Sequence, residues 1–275
     1  MRAATALAAT SLLALPAAQA GAQAPLTAPA ASPAPEARPY VFLVTPTAPR
    51  PGAWLATAEA GYAAQAFQPI GGEGVGPALS LQGQVTRALA LFVRAGAAAD
   101  ARTTRTSLEG ELRLTAHPFA GAGTGTYVTL GAGALRAYDA TTALRARVGA
   151  GHAFARSRVD ADVAFDHVLA AGRDPVDVVT TLGWMRAVGP RAHLGVEAVG
   201  QDLEGFWDRE EAEGGARVFL GPSGGVSVGA WQVSVSGGPT LRASTSGRVS
   251  DAPRPLSTTA GRYGLGLRTA ISYGW

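Results

Sequence analysis

The C-terminal stretch Tyr263–Trp275 alternates between two kinds of side chain at every position. Its odd-numbered residues are apolar or aromatic apart from Thr269, and its even-numbered residues are Gly, Ala, Ser or Arg. Successive side chains of a strand point to opposite faces, so the pattern predicts one bulky apolar face and one small or charged face. A soluble sandwich would keep polar groups outside, whereas a membrane strand turns its apolar face to lipid and its small and polar face to the lumen. The stretch therefore favours a lipid-facing strand.

The same stretch ends in Trp275, with hydrophobic residues at alternate positions before it. It resembles the C-terminal signal strand of bacterial outer-membrane β-barrels. The resemblance covers this strand alone, so it implies that superfamily and no specific family. It further implies outer-membrane lipid and lipopolysaccharide as surroundings, and the barrel-assembly machinery as a partner of the C-terminal strand.

Composition agrees with a protein that crosses a membrane as strands. Hydrophobic residues make up 47% of the chain, yet no segment after residue 24 offers the roughly 18 uninterrupted apolar residues of a membrane helix. The absence of Cys excludes disulfides and thiolate chemistry. The net charge is only +3, and no basic run is interleaved with aromatic residues, so a nucleic-acid partner is not expected.

The N-terminal region divides into two parts. Residues 1–24 read as a signal peptide, with Arg2, a short apolar stretch and small-residue cleavage sites ending at Ala20 or Ala24. An N-terminal anchor helix is the alternative. Residues 25–51 are rich in Ala and Pro, which predicts a disordered or polyproline-like periplasmic tail in which only Tyr40–Val44 could pack on something. The protein is therefore expected to be exported to the outer membrane.

Residues 52–275 contain twelve alternating segments, which predict an all-β fold: a transmembrane, antiparallel, up-and-down β-barrel of about 12 strands, with 10 or 14 as alternatives. Bulges are expected at Gly221-Pro222 and Gly238-Pro239, because proline cannot donate to the ladder. Most connections alternate between short and long, as barrel turns and loops do. Turns at His117–Gly125 and Tyr138–Thr141 depart from that rule.

Aromatic residues are expected to form a membrane girdle at the inner ends of the strands, because amphipathic rings favour the headgroup level. Its predicted members are Trp54, Trp184, Trp231, Tyr273 and Trp275.

The other face of the strands predicts a charged lumen with a backbone radius of about 12 Å for twelve strands. The predicted lining residues are Glu59, Arg94, Glu109, Glu111, Arg113, Arg145, Arg147, Arg158, Asp160, Asp162, Asp166, Glu197, Arg217, Arg242 and Arg268. Two interpretations stay open. The charged wall orients small polar or anionic solutes in a pore, or cross-strand ion pairs close the lumen.

Enzymatic chemistry finds little support. His167 follows Asp166, superficially as in omptin proteases, but alternation sends the two side chains to opposite faces. His152 and His193 lack the Ser–His arrangement of outer-membrane lipid hydrolases, and His117 reads as a solvated turn residue. The acidic loop 202–213 lacks calcium-loop spacing, so it reads as solvated rather than cation-binding. A barrel hydrolase stays a minor alternative, and no catalytic residue, cofactor or metal site is expected.

Two functions follow from these patterns. The first is a small porin-like channel for hydrophilic solutes. The alternative is a non-conducting structural or interaction barrel, which displays surface loops or anchors the periplasmic tail. A soluble periplasmic β protein is a weaker third hypothesis.

Overall fold

The computed structural model describes residues 38–45, 51–64, 74–99, 104–121, 124–170, 176–206, 216–242 and 263–275. The predicted signal peptide lies outside these residues. Twelve antiparallel strands form one closed barrel in which each strand pairs with its neighbours in sequence. The strands are β1 (Trp54–Ala63), β2 (Gly74–Gln84), β3 (Leu89–Ala99), β4 (Thr104–Gly121), β5 (Thr124–Arg136), β6 (Thr142–Ala153), β7 (Ser157–Val168), β8 (Val176–Ala187), β9 (Ala192–Gln201), β10 (Arg217–Val228), β11 (Trp231–Arg242) and β12 (Tyr263–Gly274).

The barrel closes where β1 pairs with β12, from Leu55 opposite Gly274 to Ala63 opposite Gly266. Two reciprocal bonds finish this seam: the amide of Trp54 donates to the carbonyl of Trp275 at 3.0 Å, and the amide of Trp275 donates to the carbonyl of Trp54 at 3.0 Å. The prediction of a closed 12-stranded barrel with a C-terminal closing strand is confirmed.

The two ends of the barrel differ in their connections. At the end that holds Trp54 and Trp275, the connections are residues 85–88, 122–123, 154–156, 188–191 and 229–230. At the opposite end they are residues 64–73, 100–103, 137–141, 169–175, 202–216 and 243–262. We call these the short-turn end and the long-loop end. An even strand number with both strand termini at the short-turn end is the arrangement of outer-membrane barrels.

The alternation of the sequence becomes an apolar outside and a polar inside. Outward side chains such as Leu79, Leu112 and Leu265 are 66%, 54% and 51% exposed. Inward side chains such as Gln82, Thr129 and Ser272 are buried. This is the reverse of a soluble protein and fits a wall that contacts lipid on its outer side. Among the described residues, no helix is long and apolar enough to cross a membrane.

The expected bulges at the two Gly-Pro pairs are absent. Pairing between β10 and β11 is interrupted after Phe219–Thr240, but it resumes at Ser223–Ser236 in the same register. Pro222 and Pro239 both point outward, and their other neighbours, β9 and β12, pair with them regularly. The two prolines therefore cost ladder bonds at one seam without adding a residue to either strand.

The expected turn at His117–Gly125 is also wrong, since β4 continues to Gly121 and β5 begins at Thr124. The register shifts between the pairs Ala116–Val128 and Phe119–Thr126, so two residues of β4 lie opposite one residue of β5. Pro118, which has no amide hydrogen, lies in this irregularity. The hairpin therefore obeys the short-turn rule that the sequence had seemed to break.

Replacement of Gly133 by Ala is expected to destabilise the barrel, because the added Cβ would collide with the backbone of β4 at Gly110 and lie 2.8 Å from the Cα of Glu111. Overpacking of this kind costs about 1–3 kcal/mol. Gly149→Ala is the matched control, since its Cβ would lie 3.4 Å from the Cβ of Asp162, an ordinary contact. Equilibrium unfolding by urea in lipid vesicles measures both, and equal midpoints would contradict the expectation.

Candidate functional site: the lumen and its inner segment

Residues Arg38–Thr45, which we call the inner segment, lie inside the barrel. The side-chain amide of Gln82 donates to the carbonyl of Thr45 at 2.9 Å, and that of Gln232 donates to the carbonyl of Arg38 at 2.8 Å. Gln82 and Gln232 each lie near the short-turn end of their strands. Both ends of the inner segment therefore lie toward the short-turn end.

Apolar packing fixes the middle of the inner segment. Phe42 meets Phe219 of β10 edge-on, with ring centroids 4.9 Å apart. Tyr40 and Leu43 form a second buried cluster with Met185 of β8. The hydroxyl of Tyr40 lies 3.2 Å from the carbonyl oxygens of both Arg158 and Gly183 and donates to them. Burial of this apolar run offsets the entropy lost by ordering it.

The inner segment lies within residues 25–51, which were predicted to form a disordered or polyproline-like periplasmic tail. Arg38–Thr45 contact the barrel wall from within, and residues 25–37 and 46–50 lie outside the described residues. The Pro-rich composition had predicted a disordered or extended segment, in which only Tyr40–Val44 could pack on something. The run Tyr40-Val-Phe-Leu carries enough apolar surface to override that tendency.

Glu197 of β9 holds the inner segment by its backbone. Its carboxylate is fully buried and accepts hydrogen bonds from the amides of Val41 at 3.2 Å, Phe42 at 2.8 Å and Leu43 at 3.3 Å. Three convergent amides make an anion-binding concavity, which compensates a charge that would otherwise be costly to bury. Glu197 thus depends on the inner segment for its described hydrogen bonds.

A first group of charges surrounds Glu59 of β1. Arg94 donates to its carboxylate at 2.9 Å, Arg38 of the inner segment donates at 3.3 Å, and Arg268 of β12 forms an ion pair at 3.5 Å. The guanidinium of Arg268 also lies 4.9 Å from the centre of the Phe42 ring. The carboxylate of Glu59 on β1 therefore binds three guanidinium groups, which come from β3, β12 and the inner segment.

A second group lies on β4, β6 and β7. Glu111 accepts a bidentate pair of bonds from Arg113 at 2.9 and 3.0 Å, and Arg147 donates to both of its oxygens at 3.1 Å. Arg147 also donates to Asp162 at 2.6 Å. These bonds join β4 to β6 across the intervening β5, and β6 to its neighbour β7, by buried, charge-assisted contacts, which are stronger than neutral hydrogen bonds.

The same group extends toward the long-loop end through Arg145. This side chain donates to both oxygens of Asp166 at 2.6 Å and also to Glu109. Nearer the short-turn end, Asp160 accepts from the hydroxyl of Tyr127 and from Arg158, each at 2.6 Å. The inner face of β4–β7 thus carries one extended network of ion pairs around Arg145 and Arg147, with the pair of Arg158 and Asp160 beside it.

The structure places the sequence-predicted lining residues on the inner face. It brings together Glu59, Arg94 and Arg268 in one group and most of the others in the network of β4–β7, while Glu197 lies apart and contacts the inner segment. Arg217 is buried and Arg242 is half-buried, both near the long-loop end.

Sequence reasoning missed two parts of the lumen. The inner segment gave a signal, the only strongly apolar run in a Pro-rich region, but nothing in the pattern indicated where it packs. Tyr138 was assigned to a turn, yet it is 8% exposed, and its hydroxyl lies beside Gly96 on the inner face of β3. A turn residue has no alternation to reveal its direction.

The aromatic residues predicted as a girdle lie on the outer face near the short-turn end. Trp231 and Tyr273 are in contact across β11 and β12, with ring centroids 4.8 Å apart, and Tyr273 stacks on Trp275 at 5.9 Å. Trp54 lies over Gly83, and Trp184 is 41% exposed on β8.

The histidines do not form a site with the acidic residues in the described ranges. His167 is exposed on the outside, whereas Asp166 on the inside pairs with Arg145. A ring nitrogen of His152 lies 2.7 Å from the hydroxyl of Thr126, and His117 is exposed. His193 faces the backbone of Pro39. Across the described residues, no group of three or more His, Asp or Glu is placed to hold a metal ion.

The first part of the predicted acidic loop folds back on the barrel. Buried Asp202 accepts a hydrogen bond from the amide of Val178 at 2.9 Å, and a short 3-10 helix follows at Leu203–Phe206. Residues 207–213 of that loop lie outside the described residues.

A cavity remains in the lumen on the long-loop side of the inner segment. Phe42 and Val44 of the inner segment lie on its wall, together with apolar residues of the strands. Its charged lining consists of Arg38, Arg94, Arg145, Arg147, Arg268 and Glu109. Arginine therefore dominates the charged surface that a solute in the lumen would meet.

The comparisons with known proteins were made on sequence and on structure. No protein-family model matches the sequence, and no curated protein matches it. Among solved structures, the chain is similar to the KdgM porin, with 7% identity, a TM-score of 0.48, and coverage of 80% of this chain and 98% of that one.

Two further solved structures are similar at the same level. The TodX monoaromatic hydrocarbon channel, in a deletion mutant, has 7% identity and a TM-score of 0.44, with 82% and 90% of the two chains covered. The outer-membrane protein Omp33 of Acinetobacter baumannii has 10% identity and a TM-score of 0.39, with 82% and 98% covered. The strand pairing and the two faces of this chain's own barrel decide its fold. It is a transmembrane β-barrel of the outer-membrane type.

Replacement of Glu111 by Gln is expected to destabilise the barrel strongly. The change leaves Arg113 and Arg147 with one charged partner fewer, and removing one member of a buried ion pair costs about 3–5 kcal/mol. Glu204→Gln, outside the strands, changes the formal charge equally and serves as control. Urea unfolding in vesicles gives the comparison. A midpoint unchanged from that of the control would show that the network contributes nothing to stability.

Proposed function

We propose that the protein is a porin-like outer-membrane channel for small hydrophilic solutes, which the inner segment obstructs in the described conformation. The observation that carries the proposal is the combination of a closed barrel, a lumen lined by charged and hydroxyl side chains, and an inner segment that lies inside it. Charged rings inside a pore orient and select polar solutes.

The inner segment has the properties of a removable obstruction. It is not part of the hydrogen-bonded wall, because its described backbone bonds to the barrel run to side chains such as Glu197, Gln232 and Arg113. Its departure would leave the strand pairing intact. Glu197, Arg113 and the glutamines would then face a water-filled lumen, where solvent satisfies polar groups.

The short-turn end would face the periplasm and the long-loop end the outside, as in other barrels of this type. The N-terminal region would then reach the lumen from the periplasmic side after cleavage of the signal peptide. Lipid and lipopolysaccharide would surround the apolar belt, with Trp54, Trp184, Trp231, Tyr273 and Trp275 at the inner headgroup level. The barrel-assembly machinery would recognise β12. We assign no catalytic role to the lumen.

Gly183→Ala tests the obstruction without changing a charge. The new Cβ would collide with the ring of Tyr40, and such overpacking costs about 1–3 kcal/mol. The ratio of open to obstructed barrels is then expected to rise at least about fivefold. Single-channel recording in planar bilayers measures this ratio, and Gly149→Ala, a lumen glycine with room for a methyl group, should match the wild type.

A variant lacking residues 38–45 is the stronger test of conduction itself. It is expected to show steady unitary conductance, once heat-dependent migration on SDS gels has shown that its barrel is folded. Silence of that folded variant would reject the channel and favour the non-conducting barrel. Steady conductance in the full chain, equal to that of the deletion, would instead reject the obstruction and keep the channel.

A further inference from the structure

The charges around Glu59 do not balance. Its carboxylate is shared by Arg94, Arg38 and Arg268, at 2.9, 3.3 and 3.5 Å. The side chains of Arg38 and Arg268 are 7% and 4% exposed, and that of Glu59 is 1% exposed. Arg94 is somewhat more exposed, at 12%. Three cations around one buried carboxylate repel one another, because burial weakens solvent screening.

The two other carboxylates near these arginines, Glu109 and Glu197, already have partners of their own. Glu109, which acts on Arg94 from the neighbouring strand, is paired with Arg145 and lies 3.5 Å from Arg147. Glu197, which acts on Arg38, accepts the three amides of the inner segment. The described carboxylates therefore leave an excess of positive charge beside Glu59.

Donors in this group are also unused. The Nε atoms of Arg38 and Arg94 are buried and have no hydrogen-bond partner. Arg268 has its ion pair with Glu59 at the limit of hydrogen-bond distance, and its guanidinium lies against the face of Phe42. Buried donors of this kind normally bond to protein, water or a ligand, so these two Nε atoms are available to a partner outside the polypeptide.

Space for such a partner lies directly beside the group. The arginine-lined cavity on the long-loop side of the inner segment is about 50 Å³ in volume, and Arg38, Arg94 and Arg268 all border it. A second cavity, lined by Glu59, Arg94, Arg268 and Tyr138, is about 10 Å³ and has room for no more than a water molecule. The larger cavity is therefore the space that the arginines offer to a partner.

We propose that this larger cavity is a binding site for a small oxyanion, a carboxylate or phosphate group held by Arg94 and Arg268. Guanidinium groups bind such oxyanions in a fork geometry, and a desolvated site strengthens the bond. The bound anion supplies the negative charge that the three arginines lack. This inference rests on the proposed function, since it names the class of solute that the lumen recognises.

Isothermal titration calorimetry of the full chain in detergent micelles tests the site, with citrate and inorganic phosphate as probes at ionic strength held constant by chloride. Saturable binding at one site per barrel is expected. Arg268→Gln should weaken it by about 10- to 100-fold, the value of one or more hydrogen bonds to a charged group. Arg136→Gln, which removes an exposed positive charge from the outer face near the same end, should leave affinity unchanged.

Glu59→Gln gives an expectation of opposite sign. It removes the carboxylate that competes for the three arginines, so citrate or phosphate should bind more tightly, by about tenfold or more. If the arginines served only to hold Glu59 and the wall together, this variant would lose stability without gaining affinity. Arg94→Gln repeats the test of Arg268→Gln if that variant does not fold.

Absence of saturable binding by both probes, or equal affinity of Arg268→Gln, Arg94→Gln and Arg136→Gln, would overturn the site. These outcomes are separate from the fate of the channel, because the titration needs no conduction. A conducting deletion variant with no anion binding would keep the channel and reject the site, whereas binding in a silent barrel would do the reverse.

Discussion

A strand edge in hydrocarbon has no water to satisfy its amides and carbonyls, so a sheet in a membrane has to close. In this protein the requirement falls on β1 and β12, whose pairing runs from Ala63 and Gly266 to the reciprocal bonds of Trp54 and Trp275. Closure of the sheet creates a lumen, whose wall carries polar and charged side chains, whereas the outer wall that contacts lipid carries apolar ones. Strict alternation along each strand supplies both faces from one sequence.

The inside is governed by compensation of charge. Carboxylates and guanidinium groups too deeply buried to be hydrated freely are paired on the inner face of β4, β6 and β7. Two of these pairs link the neighbouring strands β6 and β7, and one spans β5 to link β6 with β4. Glu197 follows another route, with backbone amides of the inner segment in place of a guanidinium. The inner segment is therefore an electrostatic part of the lumen as well as an apolar filling. Around Glu59 the compensation of charge is incomplete, because three guanidinium groups share one carboxylate.

Most of the barrel could be predicted from the sequence because alternation with lipid outside leaves a strong trace. The strand β6 was predicted at Thr142–Ala153, and the closing role of β12 followed from Tyr263–Trp275. The wrong predictions of bulges at Pro222 and Pro239 and of a turn around Pro118 share a cause. Proline in the sequence shows that an amide hydrogen is missing, but it does not determine how the strand pairing adapts. At Pro222 and Pro239 the register is kept, whereas near Pro118 it shifts by one residue. The inner segment and Tyr138 are fixed by contacts distant in sequence, which no periodic pattern records.

The two ends of the inner segment meet the wall at Gln232 and Gln82, both beside short turns, and its middle reaches Phe219 farther inside. It is thus a doubled-back loop in the lumen and not a thread through it. The described backbone bonds of this loop to the barrel run to side chains and not to the strand ladder, so its removal would break no strand pair. Closure of the wall and occupancy of the lumen are therefore structurally independent of each other.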